Sequence, residues 1–304
     1  MKSGLSCILV LFSRGHTRGY STPSKEFSMT TTLVIGASGQ IGSALSSRLT
    51  AQGQNVRRAT GRALRPGEVL VNLATGAGLT QALAGADQLF LMPPPGFANH
   101  DELLIPAIDA AKSAGVCKVL LLSALGVDVD DNIPLRRAEL HLERSGMVWN
   151  AIRPNWFMQN FHTFWLHGIQ TEGQIVVPAG TAKGSFVDTR DVAAVAARLL
   201  SGDDFLNTAH DLTGAEALDH AQVAAILSKV TGRTIVHTDI AEDEMRHGLL
   251  NAGLSADYTE LLLALLQEFK AGHAEHVTDE VRRITGKAPI RFEQYAREFK
   301  AHWA

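Results

Sequence analysis

The chain has 304 residues and is poor in cysteine, in tyrosine and in surplus charge, and each shortage removes a class of function. Its two cysteines, Cys7 and Cys117, cannot build a disulfide framework, which points to a reducing compartment. Lysine and arginine number 28 against 31 aspartates and glutamates, a formal net charge of −3. That balance offers no basic footprint for nucleic acid and no charged tail. No apolar run approaches the roughly 20 residues that a membrane-spanning helix needs. His273 and His276 do not form an H-E-x-x-H pattern and no Cys/His cluster suits zinc, so no metal site is expected. Ser123 lacks the G-x-S-x-G surroundings of a hydrolase nucleophile. Internal repeats and low-complexity linkers are absent too.

What is present begins with Leu33-Val-Ile-Gly-Ala-Ser-Gly-Gln-Ile-Gly42. An apolar run ends in glycines at 36, 39 and 42, and a helical pattern of small residues follows. In a strand–turn–helix unit, Gly36 permits the sharp turn and Gly39 lets a pyrophosphate approach the backbone. Gly42 lets helix and strand pack closely. The free N–H groups and the positive end of the helix dipole then face the phosphates.

Further strands follow as apolar runs bounded by turn signals: Asn55–Ala59, Val69–Asn72, Gln88–Met92, Lys118–Leu122 and Val148–Ile152. Helical segments separate most of them. Asn99 and Glu102 form a capping-box pattern before a helix whose Leu104, Ile108 and Ala111 share a face, and Pro106 should kink it. Strands alternating with helices imply a Rossmann-type α/β fold, a doubly wound parallel sheet that binds ligands at its carboxyl edge. Beyond Arg153 the pattern is less regular. Asp191 is expected to open one helix, and Asp219 with Gln222 to cap another that Gly232 closes. Residues 241–304 read as mostly helical. The expected organisation is a dinucleotide-binding domain over 29–154 and a smaller, mostly helical substrate lobe over 155–304. Within the lobe, 186–214 returns to the sheet.

Residues 1–28 fall outside this pattern. They carry Lys2, Arg14, Arg18 and Lys25, many serines and no acid before Glu26. Two readings fit: a mitochondrial presequence, with Arg18-Gly-Tyr-Ser21 as its cleavage site, or translation that truly starts at Met29. The first places the protein in the mitochondrial matrix and the second in the cytoplasm.

Several elements together carry a family resemblance. They are Gly36-Ala-Ser-Gly-Gln-Ile-Gly42, Leu91-Met-Pro-Pro-Pro95, Leu122-Ser-Ala-Leu-Gly-Val127 and Val187-Asp-Thr-Arg-Asp-Val-Ala193. The most specific is Ile152-Arg-Pro-Asn-Trp-Phe-Met-Gln-Asn-Phe161, preceded by Glu139 and Ser145-Gly146. The chain resembles the NmrA-like group of atypical short-chain dehydrogenases. That group includes NAD(P)H-dependent quinone and azo-compound reductases, redox-sensing regulators and ergot-alkaloid iminium reductases. The resemblance implies a bound dinucleotide. Ser38, Gly39, Gln40 and Ile41 would line its pyrophosphate, and Asn72 and Leu73 would flank the adenine. Met92 and Pro93 would lie near the ribose. Ser123 and Ala124 would face the nicotinamide from one side, with Pro154 and Asn155 on the other. No acid stands between Asn55 and Gly67, whereas Arg57, Arg58, Arg62 and Arg65 do. Arg62, with Arg58 as the alternative, would bind a 2′-phosphate, so NADP(H) is preferred and NAD(H) is second. Trp156, Phe157, Phe161 and His141 are candidates for the wall of a substrate pocket.

Catalysis is where the chain departs from the main branch of short-chain dehydrogenases, which use a Tyr-x-x-x-Lys pair. Here the residues four beyond Tyr20, Tyr258 and Tyr295 are Ser24, Leu262 and Phe299. Arg136 or Arg137 could supply charge, but not the deprotonable amine of a lysine. Ser123 remains as an orienting hydroxyl. The expected reaction is hydride transfer to a planar acceptor that needs little protein-supplied acid: a quinone, an azo compound or an iminium ion. The alternative is a redox-sensing regulator that binds NAD(P) without turnover.

Overall fold

The computed structural model describes residues 29–61 and 65–303, so the 1–28 segment lies outside it. The strands are β1 (Thr31–Ile35), β2 (Asn55–Thr60), β3 (Glu68–Leu70), β4 (Gln88–Leu91), β5 (Lys118–Leu122) and β6 (Val148–Pro154), then β7 (Gln174–Val176), β8 (Lys183–Gly184), β9 (Thr208–Leu212), β10 (Leu218–Asp219) and β11 (Val236–Thr238). Between them run α1 (Gln40–Ala51), α2 (Leu79–Leu83), α3 (His100–Ser113), α4 (Pro134–Glu143), α5 (Leu166–Thr171) and α6 (Thr189–Ser201). The last third adds α7 (His220–Thr231), α8 (Glu242–Asn251), α9 (Ala256–Lys270), α10 (Glu280–Thr285) and α11 (Phe292–Glu298).

Seven strands form one parallel sheet in the order β3-β2-β1-β4-β5-β6-β9. The central strands β1, β4 and β5 are largely apolar on both faces because both faces are covered. Leu33, Ile35, Leu89, Leu91, Val119 and Leu121 point to one side, where Leu104, Ile108, Ala138 and Leu142 of α3 and α4 meet them. The alternate positions Val34, Phe90, Leu120 and Leu122 point to the other, against Leu45 and Leu49 of α1 and Val192, Val195 and Leu199 of α6. Each fully buried leucine contributes about 1.5–3 kcal/mol. A separate core fills the lobe, built around Phe161, Trp165, Phe186, Phe269, Phe292 and Trp303.

The chain returns to the sheet after the lobe has begun. β9 runs beside β6 over five register positions, Asn150–Pro154 against Thr208–Leu212. α10, near the C terminus, also reaches back and packs on α6 and β9.

Local details differ from the sequence pattern in three places. Asn99 does not cap α3; its Nδ2 donates instead to Glu102 Oε2 at 2.6 Å, side chain to side chain. α3 also runs unbroken through Pro106, although that residue supplies no N–H. Asp188, not Asp191, caps α6, because Asp188 has the extended backbone that lets its carboxylate accept from Arg190 N. The Asp219–Gln222 capping box and the left-handed Gly232 are both present on α7.

Candidate cofactor and acceptor site

The strand order reverses between β1 and β4, and in such sheets a crevice opens at the carboxyl ends of those two strands. Gly36 leaves β1 there with φ +71°, and a Cβ at this position would lie 2.5 Å from Met92 Sδ. That clearance brings the glycine turn and the end of β4 together. A Cβ on Gly42 would lie 2.3 Å from Gly36 O, so only glycine lets α1 sit this close to the turn. Gly39 differs from both. Its φ is −81° and its nearest neighbour to a Cβ is Gly36 O at 3.3 Å, so the fold constrains it least of the three. It is exposed, and so are Ser38 and Gln40.

The N-terminus of α1 is suited to an anion. It has no side-chain cap, no acid in its first turn and no proline at its start. Every other helix of eight or more residues among those described has one of the three. The N–H groups of Gln40, Ile41 and Gly42 therefore face outward without a capping partner, where a diphosphate is favoured. The Ile41 side chain is buried beneath α1, so only its backbone serves this site. Ser38 Oγ lies 3.1 Å from Thr60 Oγ1 and ties the turn to the end of β2.

At β2, Arg57 is committed to the carbonyls of Ala82 and Ala84, at 2.5 and 2.8 Å. Arg58 is less occupied: its Nη2 lies 3.7 Å from Glu68 Oε1, and its side chain is 41% exposed. Glu68 is buried, pairs with Arg58 in register, and accepts Arg65 N at 3.0 Å. Sequence reasoning missed this acid because it follows Gly67 and only strand pairing brings it to Arg58. Arg62 lies outside the described residues. Asn72 ends up beyond β3 rather than within it, its Oδ1 accepting the N–H groups of Ala74 and Thr75 at 2.9 and 3.2 Å. Leu73 packs on the sheet core, and Met92 and Pro93 are half-buried.

Ser123 follows β5. It is 6% exposed, its N–H donates to Ile152 O at 2.8 Å, and its Oγ has no hydrogen-bond partner. A buried hydroxyl left unpaired at the carboxyl edge of a parallel sheet is a feature that a bound ligand would satisfy. Ala124 beside it is half-buried. Across from it, Pro154 O accepts Leu125 N at 3.1 Å. Asn155 has a different task from the expected cofactor contact. Its Nδ2 donates to Ser185 Oγ and Ala274 O at 2.7 and 2.8 Å, and its Oδ1 accepts Trp156 N at 2.8 Å. It pins the lobe to the end of β6.

Trp156 and Phe157 are half-buried next to this edge. Phe161 is not a wall residue. It is fully buried in the lobe core, 4.8 Å from Trp165 and 5.2 Å from both Phe186 and Phe292 by ring centroids. His141 does not face a cleft either. It sits in the last turn of α4, at the amino edge of the sheet, with Nε2 2.7 Å from Asp109 Oδ1 on the exposed side. Helix direction explains the miss: α4 starts near the carboxyl edge and carries His141 away from it. Arg136 and Arg137 are paired with acids as well, Arg137 with Asp101 at 2.8 Å. Tyr295 is buried in the lobe, its OH 2.7 Å from His162 Nδ1. Burial and the neighbouring His302 push His162 down to about 4.

The structure also assembles a charged cluster that the sequence does not announce. Arg153, 7% exposed in its side chain, forks onto Glu139 through Nε at 3.0 Å and Nη2 at 2.7 Å. Its Nη1 reaches Asp128 at 2.5 Å, and Arg136 Nη1 adds a bond to Glu139 at 2.8 Å. Burial works against the Arg153 charge, but Glu139 and Asp128 outweigh it and hold the guanidinium protonated. A groove elsewhere, lined by the charged and amide residues Arg291, Glu293, Gln294, Arg297 and Glu298 on and beside α11, belongs to none of the strand ends.

Comparison with known proteins agrees with this fold. A sequence model of the NmrA-like family matches residues 28–288. The chain is 35% identical over 275 residues to YesF, an uncharacterized oxidoreductase of Bacillus subtilis, covering 89% of this chain and 96% of that one. It is 30% identical over 230 residues to an NAD(P)H azoreductase of Xenophilus azovorans, covering 74% and 79%. Its fold matches that of an NADPH-dependent quinone oxidoreductase of Escherichia coli, solved with NADPH, at a TM-score of 0.76 and 21% identity, covering 88% and 99%.

Proposed function

The chain belongs to the NmrA-like family and is an NAD(P)H-dependent oxidoreductase, and on that premise we propose that it passes hydride to a planar electrophile that needs no acid from the protein. The observation that carries this is Ser123: a buried hydroxyl with no partner and no titratable side chain bonded to it. A ketone needs a proton on its oxygen as hydride arrives, and a positioned acid contributes about 10²–10⁴-fold to such a step. Ser123 can orient an acceptor oxygen, but a serine hydroxyl is too weak an acid to serve. A quinone becomes a stabilised phenolate that water protonates, and an iminium ion is simply neutralised. The azoreductase relative supports the same acceptor class.

The nicotinamide cofactor supplies the hydride. The chain's own contribution is to hold it: the open N-terminus of α1 for the diphosphate, Met92 and Pro93 beside the ribose, and Ser123 and Ala124 beside the ring. Trp156 and Phe157 would give a flat acceptor an aromatic face. We assign NADP(H) as the preferred cofactor, with Arg58 and Arg62 as the residues for its 2′-phosphate.

The test is steady-state NADPH oxidation with a panel of quinones, azo dyes and cyclic iminium salts beside simple ketones. Turnover confined to the first three groups is expected. Efficient reduction of simple ketones would overturn the acceptor class. Tight NADPH binding without oxidation by any acceptor would leave the redox-sensing alternative in its place.

A further inference from the structure

We propose that Arg153 is a positioning residue that holds the Ser123 hydroxyl on the acceptor by clamping Asp128. This rests on the reading of Ser123 as the group that orients the acceptor.

The argument starts from what Ser123 lacks. Its Oγ has no hydrogen bond within the protein, so no side-chain partner fixes its direction. The direction is set by the backbone that carries it. That backbone is zipped to β6 at two points, Ser123 N to Ile152 O at 2.8 Å and Leu125 N to Pro154 O at 3.1 Å. It then reverses at Gly126, whose φ is +81°, and enters the short turn Val127–Val129. Asp128 in that turn comes back to β6 and meets Arg153 Nη1 at 2.5 Å. The segment from 123 to 128 is thus a closed loop, held by backbone at one end and by a charge pair at the other.

The cation is anchored from below. Arg153 places two nitrogens on the two oxygens of Glu139, whose side chain is fully buried in α4. A guanidinium forked onto one carboxylate has a fixed plane, so its third nitrogen has a fixed direction. A lysine at 153 would keep the charge and lose that direction. Nη1 also lies 3.7 Å from Asp211 Oδ1 on β9, so three acids surround the cation, and they are not equivalent. Glu139 is buried and structural, whereas the Asp128 side chain is 45% exposed. Asp128 can therefore be removed without leaving Arg153 unpaired, which separates positioning from folding.

The experiment is a double-mutant cycle of Asp128→Ala and Ser123→Ala, read in kcat with a quinone, together with amide hydrogen exchange over residues 124–129. Loss of one neutral hydrogen bond lowers kcat by about 2- to 10-fold, so Ser123→Ala is expected in that range. Asp128→Ala should fall in the same range, and the double variant should be no worse than Ser123→Ala alone. Losses that multiply would overturn the proposal, because Asp128 would then act independently of Ser123. Exchange at 124–129 should quicken in Asp128→Ala while amides in α1 and α3 keep their rates. Unchanged exchange would overturn the clamp. Arg153→Lys should quicken the same amides, and Asp128→Asn, which keeps an acceptor oxygen, should restore part of the protection. If the wild-type protein reduces no acceptor, the functional reading fails, and the exchange measurements still decide whether the clamp exists.

Discussion

Lowering the pH from 7 to 5 should destabilise the folded chain by about 2 kcal/mol through His220 alone. His220 opens α7 and is 1% exposed. Its ring lies 5.2–6.0 Å from those of Phe161, Trp165, Phe186 and Phe269, and neither nitrogen has a hydrogen-bond partner. Burial, and then His237 at 5.3 Å, push it down to about 3. The unfolded chain takes up this proton near pH 6.5 and the folded chain does not until about pH 3. Across that window the unfolded state binds more protons, so stability falls as the pH falls, by about 1.4 kcal/mol per unit. Asp191 works in the opposite sense: burial raises it to about 6, so the folded chain gains a proton there first. The His220 contribution must therefore be read as a difference. Urea unfolding of wild type and His220→Phe at pH 7, 6 and 5 isolates it. The variant should be more stable at pH 7 by about 1–3 kcal/mol, because two unpaired buried nitrogens are gone. Its advantage should widen by about 2 kcal/mol at pH 5. A gap that stays constant with pH would refute a neutral, buried His220.

Three further outcomes are expected. Gly39→Ala should keep its melting temperature and lose NADPH affinity in calorimetric titration, whereas Gly42→Ala, whose methyl meets Gly36 O at 2.3 Å, should lose stability itself. Arg62→Ala should weaken NADPH about 10- to 100-fold and leave NADH nearly unchanged in fluorescence titration, the loss expected of one charge-assisted phosphate contact; if both cofactors weaken equally, Arg58 is the residue to test. Glu139→Ala should cost about 1.5–3 kcal/mol in urea unfolding, since it leaves Nε and Nη2 of Arg153 without acceptors while Asp128 still holds Nη1; a loss below about 1 kcal/mol would show that solvent reaches Arg153.

The sheet and the glycine turn were legible because their signals are local. Leu33-Val-Ile and the Val-Leu-Leu-Leu run that follows Lys118 are apolar at every position, as strands covered on both faces must be, and Gly36 follows the first of them directly. The site was legible only as far as residues follow strand ends. Ser123 and Met92 stand there by chain order alone. Phe161 and His141 were misplaced because their surroundings come from other elements: the lobe core in one case and helix direction in the other. Asn155 sits at the predicted position, but its amide is taken by Ser185 and Ala274, and Ala274 lies 119 residues further along the chain. Asp188 and Asp191 share one short motif, and nothing local says which of them has the extended backbone of a cap. The Arg153 cluster draws on residues 128, 139 and 153, whose pairing no spacing rule supplies.

Because β9 is drawn from the far side of the lobe, the two halves of the molecule cannot be cut apart. A chain ended after Pro154 would leave the backbone groups that β6 turns toward β9, on the alternate residues Ala151 and Arg153, bare along an open border. An apolar, unprotected border of that kind recruits other chains, so such a fragment should aggregate where the whole protein does not. The same topology orders assembly in time. The last strand can dock only after more than fifty intervening residues, lobe segments among them, have been made, which makes completion of the sheet a late, long-range step. Any strain felt in the lobe then has a direct route to the outermost strand of the sheet, and through Asn150–Pro154 to the strand end beside which Ser123 lies.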